Sequence, residues 1–141
     1  MKYLVFMIGL LSFSAFGQQD NVWKHLSKVS YEVDEDEFGE LFVPVFGEKT
    51  MALEGKEITA HGYIIPFEGM FKPKHIILSA LPLAECFFCG SGGPETVMEV
   101  MLVEPVKYTS NKVKVVGELV LNADDPEKLM YILENAKVIG L

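Results

Sequence analysis

The chain predicts a mainly β fold: a small curved barrel of five strands with a short helix ahead of it. Three observations carry that reading. Runs of alternating apolar and polar residues recur between residues 57 and 121, and turn signals such as Glu54-Gly55 and Glu68-Gly69 separate them. Gly62 and Gly117 sit inside two of the runs. A glycine within a strand permits the sharp bend that closing a small sheet on itself requires. A small β-sandwich built from the same strands is the alternative.

Val22, Leu26 and Val29 fall at helical spacing with Trp23 beside them, so Asn21 to Val29 predicts a short helix with one apolar face. Glu32, Asp34, Glu35, Asp36, Glu37 and Glu40 follow, and this dense run reads as a solvated, mobile loop. Phe42-Val43-Pro44-Val45-Phe46-Gly47 is apolar, yet Pro44 and Gly47 bar it from a central strand. Glu57 to Pro66 then alternates, with Ile58, Ala60, Gly62 and Ile64 on one face and Glu57, Thr59, His61 and Tyr63 on the other. His75-Ile76-Ile77-Leu78 is a short second strand and Thr96 to Val103 a third. Lys112 to Leu121 is the clearest, with Val113, Val115, Gly117, Leu119 and Leu121 facing inward. Asp125-Pro126 has the form of an N-cap and first helical position, predicting a turn or two of helix before a last strand from Tyr131 to Ile139. Strands of this number and spacing match an OB-like barrel.

Such barrels often bind nucleic acid, through a basic groove lined with stacking aromatics. Tyr63, Phe67, Phe71 and Tyr108 supply rings, but a net charge of −8 opposes a phosphate backbone, so nucleic acid is not an expected partner. Lys72, Lys74 and His75, with Lys107, Lys112 and Lys114, form two modest basic patches, read as solvated strand ends or docking points for an acidic partner. No serine lies in a nucleophile elbow, and no glycine loop with its lysine precedes a helix. Glu57 and His61 share a strand face but stand about 13 Å apart. No catalytic residue is assigned.

Residues 1–17 have the form of an export signal: Lys2, an apolar run from Tyr3 to Phe16, and Ala15-Phe16-Gly17 before Gln18. No second apolar run follows, so the expectation is a soluble periplasmic or secreted protein with no membrane span after cleavage. Residues 18–141 are the length of one domain.

Both cysteines of the chain lie in Cys86-Phe87-Phe88-Cys89-Gly90. In an oxidising compartment such a pair holds a metal, forms a disulfide, or exchanges thiols with a partner. As ligands, two thiolates suit zinc or copper(I). His61 and His75, on predicted neighbouring strands, are the candidate additional ligands. As a redox centre the pair is poorly placed, because Glu85 sets a negative charge beside Cys86 and Phe87-Phe88 replaces the usual Gly-Pro. As a structural disulfide, Cys86 with Cys89 closes too small a ring to contribute more than about 2 kcal/mol.

Trp23-Lys24-His25-Leu26, Pro44-Val45-Phe46, Leu53-Glu54-Gly55-Lys56, Gly62-Tyr63-Ile64-Ile65-Pro66 and Cys86-Phe87-Phe88-Cys89-Gly90 occur in this order. With these segments the chain resembles DUF3299, a bacterial exported family of unknown function, from about Trp23 to the C-terminus. The resemblance implies a small OB-like exported domain with no assigned activity and with Cys86 and Cys89 at its shared pair. It also implies a setting near metal-linked transport systems. The expected function is therefore binding, through the Cys-x-x-Cys loop, of a soft metal ion (zinc or copper) or of a membrane transport system or another exported protein. A thiol–disulfide redox protein, or a structural disulfide with an unrelated interaction role, is the alternative.

Overall fold

Closure of five strands into a barrel organises the computed structural model, which describes residues 21–65, 73–88 and 90–140. In chain order the elements are α1 (Val22–Leu26), β1 (Val29–Asp36), β2 (Gly39–Phe46), α2 (Glu48–Met51), β3 (Glu57–Ile65), β4 (His75–Ser79), β5 (Val97–Leu102), β6 (Val113–Leu121) and β7 (Tyr131–Gly140). Single 3-10 turns occupy Leu83–Glu85 and Pro94–Thr96. The export signal expected at 1–17, the Glu68-Gly69 turn and Cys89 lie outside the described residues. No helix among the described residues is long and apolar enough to cross a membrane.

Around the barrel the strands run β3-β4-β5-β7-β6, and β6 pairs back to β3. Every pairing is antiparallel except β5 with β7, which is parallel. This is the Greek-key order of an OB-like barrel, and closure excludes the sandwich. β3 makes the closure possible by changing partners. Its residues Glu57 to Gly62 pair with β6, and Tyr63 to Ile65 pair with β4. The change falls at Gly62, as its place inside the strand predicts.

Inward side chains follow the alternation of the sequence: Ile58, Ala60 and Ile64 from β3, Ile76 and Leu78 from β4, Met98 and Val100 from β5, and Val113, Val115 and Leu119 from β6. In β7 the inward set passes from Leu133 to Ala136, because Asn135 takes a φ of 48° and the register against β6 shifts there. Asparagine tolerates that left-handed conformation better than most residues, and one inserted residue re-aims the strand. α1 plugs one end of the barrel with Val22, Trp23 and Leu26. Three hydrogen bonds tie it down, one from the Trp23 side chain and two to its backbone carbonyls. Trp23 Nε1 donates to the His61 carbonyl at 2.8 Å, the Tyr131 hydroxyl donates to the Leu26 carbonyl at 2.6 Å, and the Thr50 hydroxyl donates to the His25 carbonyl at 2.9 Å. Thr50 belongs to α2, an element too short to leave any periodicity in the sequence.

Two expectations are corrected. The acidic run is no loop: it is β1 and the start of β2, an antiparallel hairpin turning at Glu37-Phe38. Charge density suggested solvation, but Val29, Tyr31 and Val33 alternate with Ser30, Glu32 and Asp34, which is a strand period. The expected helix after Asp125-Pro126 is only a turn. Asn122 pre-empts it, its amide donating to the carbonyls of Asp125, Lys128 and Leu129 while its side-chain oxygen accepts from the Asp125 N–H at 3.0 Å. The Asp125 carbonyl also accepts from the Lys128 N–H at 3.3 Å, closing a single turn that goes no further.

Candidate functional site

The loop from β4 to β5 carries the Cys-x-x-Cys segment and is knotted by its own backbone. The Ala80 N–H donates to the Thr96 carbonyl at 2.8 Å and closes the neck. Inside it, Glu85 N–H donates to Pro82, Gly90 N–H to Cys86 at 2.8 Å, and Gly92 N–H to Glu85 at 3.1 Å. Gly90 is required by close approach, since a Cβ there would lie 2.7 Å from the Ala84 carbonyl oxygen.

Cys86 is a free thiol with no exposed surface. It packs on the outside of the barrel with Ile65, Ile77 and Val97, and Leu129 covers the cluster. The side chain thus acts as a small hydrophobe that pins the loop to the sheet. We predict that Cys86→Ser, which places a hydroxyl among apolar groups, destabilises the protein by about 1–3 kcal/mol, clearly more than Cys86→Ala does. Urea unfolding of the two variants checks this, and equal losses would contradict it. Phe87 and Phe88, by contrast, turn outward, 37% and 48% exposed, with rings edge-on at 5.2 Å.

The two histidines are not brought together. β3 and β4 do pair as a hairpin, but the register runs from Tyr63 with Ser79 to Ile65 with Ile77. His61 lies beyond one end of that pairing and His75 beyond the other, about 20 Å apart along the strands. His61 sits opposite Lys114 of β6. His75 Nε2 and Glu99 Oε2 are 3.1 Å apart, and the other Glu99 oxygen accepts from the Leu129 N–H at 2.8 Å. Glu99 therefore links β4 to the segment that covers Cys86, a role the sequence did not signal. Among the described residues, no three His, Cys, Asp or Glu side chains gather closely enough to hold a metal ion.

What the loop does join is a groove. The β1–β2 hairpin, the segment 122–130 and the Cys86 loop enclose a hollow of about 310 Å³. Tyr31, Phe42 and Pro44 line it from the hairpin, Phe87 and Pro94 from the loop, and Pro126, Leu129 and Met130 from the third side. Asp124 and Asp125 stand on its rim, and Lys128, the one cation among its lining residues, lies 3.6 Å from the Asp125 carboxylate. Burial, and then the nearby Glu95 carboxylate, push the Tyr31 phenol above its ordinary value, so it stays a neutral donor whose hydroxyl reaches Met130 Sδ at 3.9 Å. A larger hollow of about 550 Å³ opens between Glu104–Val106 and Lys137–Gly140, but it contains neither histidine nor cysteine nor any aromatic ring.

Fold and site together define an OB-like barrel bearing an acidic β-hairpin and an apolar groove between them. No family model, curated protein or solved structure matches the chain, so its function is argued from these residues.

Proposed function

We propose that the protein is an exported binding module that docks another exported protein, or a component of a membrane transport system, in the groove between its hairpin and its Cys86 loop. The observation that carries this is the convergence of exposed Phe42 and Phe87 with Pro44, Pro94 and Pro126 around one hollow rimmed by carboxylates. Large apolar side chains left in water at a groove mark a contact surface. Its acidic rim and hairpin favour a partner segment that is apolar and basic. The Cys86 loop serves as one wall of the site, with its buried sulfur as the anchor.

Photo-cross-linking in the producing cell tests this. A photoreactive residue at position 42 is expected to capture one exported or membrane protein, and one at position 118, on β6, is not. Phe87→Ser should abolish the adduct. Equal capture from both positions, or an adduct indifferent to Phe87→Ser, would overturn the proposal. The soft-metal reading of the cysteines is answered alongside. A stoichiometric zinc or copper ion on the purified protein, lost in Cys86→Ser/Cys89→Ser, would move the function to the sulfurs.

A further inference from the structure

The hairpin has two edges, and they differ. The Gly47 N–H donates to the Lys28 carbonyl at 3.1 Å, which makes Lys28 and Gly47 a bonded pair in the register that continues through Val29 with Phe46. Bonded and non-bonded pairs alternate along an antiparallel ladder. Tyr31 with Pro44 and Val33 with Phe42 are then non-bonded pairs, whose backbone groups point away from the partner strand. On β2 the outward positions are Glu40, Phe42, Pro44 and Phe46, and Pro44, which has no N–H, interrupts the row of donors in its middle, so that edge is blunted. On β1 the outward positions are Val29, Tyr31, Val33 and Glu35, an uninterrupted row of donors. The Glu35 N–H is held by the Asp34 carboxylate at 2.9 Å, as an outward-facing donor would be. Among the described residues, β1 pairs with no strand but β2. Its edge offers the amides of Tyr31 and Val33 beside the groove.

The faces of β1 differ too. Tyr31 and Val33 share one face with Phe42 and Pro44, while Glu32, Asp34 and Asp36 share the other. A strand laid against β1 would place alternate side chains on these two faces. We infer that β1's open edge takes up an extended segment of the partner as a third strand, in which apolar residues alternate with lysine or arginine. This rests on the docking reading above and specifies its chemistry. A second copy of β1 is a poor occupant, because like carboxylates would stand opposite one another across the new ladder.

The test uses synthetic peptides added to the whole protein: one alternating valine and lysine, one with the same residues in two blocks, and one alternating valine and glutamate. The first is expected to bind, more weakly as salt is raised, and to slow hydrogen exchange at the Tyr31 and Val33 amides. The other two should bind about tenfold more weakly or worse. Val33→Pro, which removes an outward N–H that the β1–β2 ladder does not use, should also cost about tenfold. Slowed exchange in the unsubstituted protein supports the inference even if that variant folds poorly. The inference is overturned if no peptide binds, or if binding ignores residue order. Binding without slowed exchange at Tyr31 and Val33 overturns it as well, as does pairing of β1 with itself, seen as a doubled mass in sedimentation. Failure of the docking reading would look different: the adduct from position 42 would be missing.

Discussion

Gly62→Val is expected to destabilise the protein by about 3 kcal/mol or more, a large part of the 5–15 kcal/mol that holds a typical domain folded. A Cβ at this position would lie 2.5 Å from the Ser79 carbonyl oxygen, 2.9 Å from Leu78 Cγ and 3.1 Å from the Ser79 carbonyl carbon. Two of those three atoms are backbone, in a strand paired with β3 on one side and β5 on the other. They cannot move aside without opening the barrel where β3 changes partners. Gly140→Ala is the control, since its Cβ would meet only Lys114 Cβ at 3.5 Å, an ordinary contact, and the cost should stay within about 0.5 kcal/mol. Urea unfolding of both proteins with unchanged m-values makes the comparison. Equal stability of the two would show that β3 does not need to bend at residue 62.

Tyr131→Ala is expected to cost about 3–5 kcal/mol, and Tyr131→Phe about 1–3 kcal/mol. Tyr131 is fully buried, and its ring lies 5.7 Å from that of Phe46 at the base of the hairpin. Its hydroxyl donates to Leu26 in α1. One side chain thus fastens barrel, helix and hairpin together. Alanine removes the ring and leaves a cavity, whereas phenylalanine only strands the Leu26 carbonyl. The pH dependence follows from the same burial. Burial first, then Tyr31 and Glu95, raise the Tyr131 phenol above its ordinary 10.0, so the folded state keeps a proton that the unfolded state loses. The stability this group contributes is therefore complete below pH 10 and is lost as pH rises above it toward the folded-state pKa. Thermal unfolding between neutral and strongly alkaline pH should show a steeper decline for the natural protein than for Tyr131→Phe. Parallel declines would contradict this.

The barrel was legible because its strands obey the period of two so closely. Every inward residue of β3 and β6 stood in the alternation, and Gly62 and Gly117 marked interior strand positions. The hairpin was obscured by charge, since six carboxylates in nine residues look like a solvated loop when composition is read before period. The turn at Asp125 was obscured because its capping signal is local, while Asn122, which captures the carbonyls, lies outside the pattern a helix start displays. For the candidate site, the sequence singled out the Cys86 loop but carried no sign of which of its side chains are buried. Cys86 is buried against the outer face of the sheet, and the two phenylalanines are exposed. No motif could bring Tyr31, Phe87 and Met130 to one hollow, because their proximity depends on how the hairpin folds back toward the barrel. His61 and His75 illustrate the same limit: adjacency of strands follows from alternation, but register does not.

The proposed function lies in the apolar and acidic surface, with the sulfurs in a supporting part. The adduct formed from position 42 in cells carrying Cys86→Ala/Cys89→Ala, set beside Phe87→Ser, separates these most directly. The same partner is expected to be captured without either sulfur, within about twofold, and to be lost when Phe87 becomes serine. Loss of the adduct in the alanine pair, with full capture by Phe87→Ser, would show that the cysteines themselves perform the function.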